Sequence, residues 1–551
     1  MKFFENLIYT ILESKMKKFL VIFLIALAFI GSVMMFPSKI VLAKMLPGKS
    51  ANTFSIYVDT PSGSSFLQTT QINECVVDVL KKEESVKDIE IYNGMGSPLD
   101  YAGLVKGSSF KMGENVAEIV INLTDKHHRS ETSYNMVHRL RPLIQSSCEP
   151  IIQGTSIKMI EQPSGPPTLA AIAIELYGEN QDKLREISVS IKQILQNTQG
   201  LVDVDVMQDE IYKKFELVID KEKMIRSGVS IEQANQIIYL AFEGMDIAVK
   251  NSENSLEQIA LHLVLSDATK NLHEFSKDAL QKKLSSLRLM NPQGMMIPLN
   301  EIVTIQEVDS NPMIMSKNIK RMVTIIAETD LVSQVYPLLE ARTMIKEKLS
   351  DRYIINSSHL FDYTLKDKQT GEVYELVWDG EMKVSMDTFR DLGGAFIAAL
   401  ILIFLLMVIY YKSFALSGII LLGSFLSIIG VIVGHWIMDL FTQDTFFLTA
   451  TSLIGFIALM GISSRNSLLL IDFAMSLIKN GMQKRKAIAV ATATRAKPIF
   501  LTAVAIILAS TLLASDPIFG GLGVALIFGT IVAVIVSLIF VPILMDNTKA
   551  I

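Results

Sequence analysis

The chain has 551 residues, half of them hydrophobic and only 19% charged, with a formal net charge of −5. The charged share lies below the soluble-domain norm of about 25%, and an acidic balance without a basic cluster excludes nucleic acid as a partner. The two cysteines make no zinc or thioredoxin-type signature, and no phosphate loop, HExxH or nucleophile–base pair occurs, so no enzyme chemistry and no cofactor are expected.

Apolar residues at positions 3, 4, 7, 8, 11 and 12 form a helical stripe, which predicts an amphipathic helix over 1–18 lying along the cytoplasmic membrane face. An uncharged run, Phe19 to Phe36, follows and is stopped by Pro37 and Lys39. A bilayer core needs about 20 apolar residues in a helix, so residues 19–38 are predicted to form the first span. Lys15, Lys17 and Lys18 also suit the start of a signal peptide, but the run is long for that and no small-x-small site follows.

The polar stretch after it is long enough for two or more domains. Strands are predicted at Thr53 to Val58, Val86 to Tyr92 and Val116 to Leu123, with helices at Ser65 to Lys82 and Ser133 to Ser147. Two strand–helix–strand passes are the pattern of a split βαβ, ferredoxin-like unit, placed at 39–168. Cys75 and Cys148 fall within it and either form one disulfide or remain two small, unpaired apolar residues. The histidines, His127 and His128 included, read as solvated.

Gln162-Pro163-Ser164-Gly165-Pro166-Pro167 is a turn-forming linker, and the pattern then restarts. Strands are predicted at Ala170 to Tyr177, Val202 to Gln208 and Phe215 to Ile219, with a helix at Gln181 to Gln196. The helix Ser230 to Ala241 opens on a Ser230/Gln233 capping box. Asn291-Pro292-Gln293-Gly294 marks a hairpin. Met322 to Glu328, the helix Val335 to Leu349 and the strand Ser357 to Asp362 complete a second sandwich over 169–212 and 321–390, with 213–320 as an insertion. Met290, Met295, Met296, Met313 and Met315 in that insertion could serve as soft-metal ligands, but methionine is more often packing filler.

Five more apolar runs close the chain: Leu392 to Tyr411, Phe414 to Met438, Phe446 to Ile478, Pro498 to Ala514 and Gly520 to Met545. Lys479, Lys484, Arg485, Lys486, Arg495 and Lys497 flank the loop between the fourth and fifth spans, and Lys412 lies between the second and third. The loops after the third and fifth carry Asp439, Asp444 and Asp516 instead. This bias predicts cytoplasmic termini and an outside location for residues 39 to 390. Gly430 and Gly434, and the stripe Ala525, Gly529, Ala533 and Ser537, predict close helix packing. Arg465 sits inside the fourth apolar run, where a charge costs about 2.5–3.5 kcal/mol and usually works. Asp472 lies two turns on along the same face, as Thr502 does after Arg495.

Gly461-Ile-Ser-Ser-Arg465-Asn466-Ser-Leu-Leu-Leu-Ile-Asp472-Phe-Ala474 resembles the fourth span of the C-terminal half of resistance-nodulation-division (RND) multidrug permeases. Arg495-Ala-Lys497-Pro498-Ile-Phe-Leu-Thr502 resembles the entry of their next span, and Trp378 through Phe414 is similar to the approach to their second. The resemblance implies a six-span α-helical membrane bundle (1–38 and 391–551) with an α+β periplasmic domain of repeated split βαβ porter subdomains, and a docking subdomain at 213–320. It implies a bacterial inner-membrane proton antiporter that works as a trimer with a periplasmic adaptor and an outer-membrane channel. Arg465, Arg495 and Thr502 match the family's relay of lysine, arginine and threonine, with Asn466, Asp472 and Lys497 as supporting polar residues. The relay's paired aspartates belong to the N-terminal half and have no counterpart here, so an N-terminal-half RND subunit is an expected partner. The family exports amphiphilic compounds; heavy-metal (Cu/Ag) export by an RND half and a six-span protein-export accessory role are the alternatives.

Overall fold

A computed structural model describes all residues except 1, 49, 99–100, 163–164, 166–167, 254–257, 271–275, 360, 443–444 and 550–551. Most of the proline-rich linker (Pro163, Ser164, Pro166, Pro167) and Asp444 therefore lie outside the described residues. The chain divides into two compact units, one of residues 1–208 and 314–551 and the other Asp209–Met313.

Among the described residues, six helices are long and apolar enough to cross a membrane: Lys15–Met34, Glu381–Tyr411, Phe414–Phe441, Ala450–Lys479, Lys484–Ala514 and Gly520–Asn547. They are called spans one to six. Their limits differ from the apolar runs for local reasons. Span one starts at Lys15 because Ser14 caps it, its hydroxyl accepting from the Lys17 N–H at 3.4 Å. The preceding amphipathic helix is Lys2–Glu13, with Ile8 and Leu12 buried. Span two starts at Glu381, well before Leu392. Its 31 residues would run about 46 Å, against a hydrocarbon core of about 30 Å, so the charged first turns extend beyond the apolar zone. Span five starts at Lys484 and contains Pro498, which leaves the Thr494 carbonyl without its intrahelical donor instead of starting the helix. Span three breaks between Phe425 and Ile428, and span six carries a π-turn at Val536–Phe540.

Small residues let these helices meet. A Cβ on Gly430 would lie 2.3 Å from the Phe528 carbonyl oxygen, one on Gly434 2.5 Å from Phe528 Cβ, and one on Gly529 2.2 Å from Leu459 Cδ2. Ala525, Gly529, Ala533 and Ser537 are all buried, so the predicted stripe of span six is a packing face. At the other end of the bundle, Lys18 pairs with Asp546, which also accepts from Arg485 Nε at 3.3 Å.

Between spans one and two the first unit holds two sheet-and-helix lobes. In lobe one, antiparallel strands lie in the order Val86–Met95, Met112–Leu123, Thr53–Asp59, Ser156–Glu161. Helices Phe66–Leu80 and Ser133–Cys148 pack on the sheet around Phe54, Ile56, Ile72, Val76, Ile119 and Leu140. Cys75 and Cys148 are joined as a disulfide between these helices. Ser156–Glu161, the fourth strand of this sheet, was not named among the predicted strands.

In lobe two, Leu201–Met207 pairs with Lys320–Thr329, which pairs with Ile172–Tyr177, which pairs with Val373–Asp379. Helices Gln181–Gln196 and Val335–Leu349 cover it around Ile174, Leu176, Ile191 and Ile345. The predicted strand Ser357 to Asp362 includes Leu360, which lies outside the described residues, and its described residues beyond Ser357 are not strand. The strand ends at Ser357, the Ser358 N–H donates to the Asp362 carbonyl at 3.0 Å, and a hairpin, Tyr363–Asp367 with Val373–Asp379, supplies the strands that were missed.

The unit Asp209–Met313 has its own core of Met224, Leu280, Leu284, Leu299, Ile302 and Ile305. Lys213–Ile219 pairs with Val303–Asp309. The Ser230/Gln233 capping box forms as predicted, and so does the Asn291 to Gly294 hairpin, with Asn291 Oδ1 accepting from the Gln293 and Met295 N–H groups. Met290, Met295, Met296 and Met313 are exposed; they are not packing filler.

Candidate functional site

The fourth and fifth spans carry the predicted residues, and the structure treats them differently. Arg465 is exposed on span four, while its neighbour Asn466 is buried. Among the described residues, no hydrogen bond or ion pair reaches the Arg465 side chain. Asp472 is half-buried and anchored elsewhere. The Tyr411 hydroxyl donates to Oδ1 at 2.7 Å and the Tyr410 hydroxyl to Oδ2 at 3.3 Å. Seven residues of helix rise separate Asp472 from Arg465 by about 10 Å, so one face does not mean one ion pair. Asp472 fastens span four to the end of span two.

On span five, the Arg495 guanidinium lies over the Phe473 ring at 5.1 Å, and its Nε is buried without a hydrogen-bond partner. Lys497 is exposed. Thr502 is also exposed, and its hydroxyl donates to the Ile499 carbonyl of its own helix at 2.9 Å. Among the described residues, no hydrogen bond joins Arg465, Arg495 and Thr502 to one another. They share two adjacent helices; Arg465 and Thr502 are exposed, while Arg495 is half-buried against Phe473. Chemically this is a pair of permanent cations and a hydroxyl in an apolar zone, with no carboxylate among the described residues bonded to Arg465.

The sequence reading missed His435. It is fully buried in span three, not solvated. Its Nδ1–H donates to the Val431 carbonyl at 2.7 Å, and its Nε2 lies 2.8 Å from the Ser452 hydroxyl. Ser452 Oγ meets Thr449 Oγ1 at 3.0 Å, Thr449 Oγ1 meets Thr451 Oγ1 at 2.8 Å, and Thr451 donates to the Ile518 carbonyl at 3.1 Å. This network ties span three to the start of span four and to the turn that precedes span six. The signal was present: a histidine inside an uncharged apolar run, directly after Gly434, needs internal partners. His127 and His128 are exposed, and among the described residues no His, Cys, Asp and Glu cluster could hold a metal ion.

Six apolar helices, interrupted after the first by β-rich lobes and bearing an unpaired arginine in the fourth, define a polytopic membrane protein of the permease type. The profile of the AcrB/AcrD/AcrF family matches residues 2–546. The chain belongs to this family of RND permeases, whose members are transporters. It is 22% identical over 499 residues to the multidrug resistance protein MdtC of Yersinia pseudotuberculosis, covering 89% of this chain and 44% of the relative. It is 24% identical over 380 residues to the swarming motility protein SwrC of Bacillus subtilis, covering 67% of this chain and 32% of that protein. It is 22% identical over 343 residues to the cobalt-zinc-cadmium resistance protein CzcA of Cupriavidus metallidurans, covering 60% and 28%. The crystal structure of a heavy metal efflux pump superposes with a TM-score of 0.72 at 16% identity, covering 98% of this chain and 51% of that one. The chain thus spans about half the length, or less, of the proteins it matches.

Proposed function

We propose that this chain supplies the C-terminal half of a proton-driven RND efflux transporter in a bacterial inner membrane, with a separate N-terminal half completing the relay. The observation that carries the reading is Arg465: a permanent cation, exposed within an apolar span, with no acidic partner from this chain among the described residues. Such a charge is tolerated where it faces protein or water. Paired carboxylates of an N-terminal half would face it, with Arg495 and Thr502 as the neighbouring members of the relay. Arginine does not release its proton at accessible pH. Its part is that of a counter-ion whose pairing ends when the carboxylates are protonated. Asn466 is buried behind it, Asp472 holds span two in place, and Lys497 anchors the cytoplasmic end of span five.

In this reading the two lobes are periplasmic porter subdomains of the repeated split βαβ type. Both have the strand order second, third, first, fourth, counting in each lobe the strands of the shared unit. The unit 209–313 is the docking piece for an adaptor and an outer-membrane channel, and the assembly is a trimer of paired halves. The Cys75–Cys148 disulfide supports an oxidising compartment for lobe one.

The test is co-purification of the tagged chain from its native membrane, with efflux measured alongside. Recovery of a six-span subunit with adjacent aspartates in its fourth span is expected. No such partner, together with normal efflux from this chain alone, would sink the proposal. Substrate class divides between amphiphiles and metal ions. The exposed methionines Met290, Met295 and Met296 favour a thioether route for soft metals, and unchanged copper and silver tolerance after their replacement by leucine would exclude it.

A further inference from the structure

Asp472 ties span four to span two, and the same contacts admit a second arrangement of protons. Tyr410 and Tyr411 close span two. The Tyr411 hydroxyl lies 2.7 Å from Asp472 Oδ1, and the Tyr410 hydroxyl 3.3 Å from Oδ2. The Tyr411 oxygen also lies 3.3 Å from the Leu468 carbonyl, one turn back on span four. A phenol has one hydrogen to give. With Asp472 ionised, that hydrogen goes to the nearer carboxylate oxygen. With Asp472 protonated, the acid O–H donates to the Tyr411 oxygen across the same 2.7 Å, and the Tyr411 hydrogen turns to Leu468. The carbonyl has a second lone pair for it. Tyr410 donates to Oδ2 in both states. None of these groups loses its partner when the proton arrives or leaves.

A tie alone does not call for a carboxyl group. A carboxylate in an apolar span is costly without a cation, and among the described residues no ion pair reaches Asp472. An asparagine would accept from either phenol without a charge. The charged groups around the site are few. On its own helix they are Arg465 and Lys479, each seven residues away, about 10 Å of rise. Tyr411 is followed by the exposed Lys412. On span five, Arg495 lies over the ring of Phe473, the residue next to Asp472, with its Nε buried and without an acceptor. Helices Phe414–Phe425 and Gly520–Ile535, also packed on span four, carry no charge, and His435 and Asp439 of span three lie toward its other end. Asp472 thus stands midway between the arginine of the candidate relay and the basic end of span four, where Lys479, Lys484, Arg485 and Lys486 follow.

We propose that Asp472 carries the proton on its last step, from the relay beside Arg465 to the cytoplasm. The step rests on the transport reading above, which supplies the relay carboxylates and the direction. A protonated carboxyl of the N-terminal half gives its proton, through water, to the Asp472 carboxylate. The donor becomes the anion that pairs with Arg465, and Asp472 becomes the acid, with its O–H on the Tyr411 oxygen. Asp472 then releases the proton to cytoplasmic water, and the Tyr411 hydrogen returns from Leu468 to Oδ1. One carboxyl is ionised for each one protonated, so the bundle gains no charge until the proton leaves it. Tyr411 is a positioning residue: it holds the acceptor in both states.

Infrared difference spectra of the full chain in lipid test the protonation without any partner. Of the carboxylic C=O bands that appear on acidification, one should be missing from Asp472→Asn and displaced in Tyr411→Phe. If the spectra of the native chain and Asp472→Asn coincide between about pH 4 and 9, Asp472 exchanges no proton and the proposal is overturned, whatever the chain transports. Efflux from cells holding both halves tests the role. Asp472→Asn should lower it about tenfold or more, and Asp472→Glu should restore most of it. Tyr410→Phe with Tyr411→Phe cuts the tie but keeps the carboxyl, and should cost less than Asp472→Asn while shifting the pH profile. Equal losses in those two variants, or full efflux in Asp472→Asn, would reduce Asp472 to a tie. Arg465→Ala tells the two failures apart. If it abolishes efflux and Asp472→Asn does not, only the release step falls; if neither lowers efflux, the relay reading falls with it.

Discussion

Removing the disulfide of lobe one tests both the packing and the side of the membrane. Cys75 and Cys148 are 73 residues apart in sequence and bridge the two helices that cover one sheet. Closing a loop of that length removes entropy from the unfolded chain, worth about 4 kcal/mol at 25 °C in the chain-entropy account. Lobe one has roughly 110 residues, for which 1 kcal/mol corresponds to about 4 °C in midpoint, so Cys75→Ser with Cys148→Ser should lower the melting midpoint of this lobe by roughly 15 °C. Strain or residual structure in the unfolded chain lowers that value. A fall of about 5 °C or more keeps the argument; a fall within 2 °C refutes it.

The assay is protease susceptibility of the membrane-embedded chain against temperature, read at the sites lobe one exposes on unfolding. The same molecule reports its compartment. Cells blocked with a small maleimide, then denatured without reductant and treated with a polyethylene-glycol maleimide, should give no shifted band. If both cysteines are labelled without reduction in the native membrane, the disulfide is absent in the cell and the outside placement of lobe one loses its chemical support.

Gly434→Leu drives a side chain into Phe528, where even a Cβ would sit at 2.5 Å; it should destabilise the bundle by 1–3 kcal/mol or more, seen as earlier aggregation in size-exclusion chromatography after heating. Asp546→Asn leaves Lys18, 10% exposed, without its carboxylate, and should cost about 3–5 kcal/mol by the same measurement. Arg465→Ala should leave that thermal profile unchanged, because the side chain is exposed and unbonded in this chain, yet reduce efflux at least tenfold in cells holding both halves; Arg465→Lys should restore most of it.

Span positions were readable because membrane insertion selects on composition alone, and uncharged runs show it directly. Their ends were not. Glu381, Lys383, Asp387 and Arg390 read as an extramembrane segment, yet they are the first turns of span two, since a solvated helix needs no apolar run to continue. Arg465 was legible as a charge out of place. The fate of Asp472 was not, because Tyr410 and Tyr411 reach it from another span, more than sixty residues away in sequence. His435 was lost for the opposite reason. One polar residue barely lowers the mean hydropathy of a run, while its partners Ser452 and Thr449 sit on the next span. The seam of ion pairs between the two lobes could not be read at all. Arg141, Lys158, Asp203 and Glu328 each look like surface charges until tertiary structure brings them together.

Charge in this chain falls into three kinds of place, and the contrast between them bears on the proposed function. Lys18 and Asp546 form a clasp whose partners both lie in the chain. The seam of Arg141, Lys158, Asp203 and Asp330 is likewise satisfied from within, although it joins two cores that fold separately. Arg465 belongs to neither kind. A purely structural arginine in an apolar span would be expected to resemble Lys18, buried against a carboxylate of its own bundle, because an unpaired charge there is costly. Acidic residues were available to this bundle, as Asp472 shows, but the fold ties Asp472 to two tyrosines and turns Arg465 outward. Among the described residues no carboxylate compensates that guanidinium, and under the proposed function the compensation comes from carboxylates of a second subunit that take up protons.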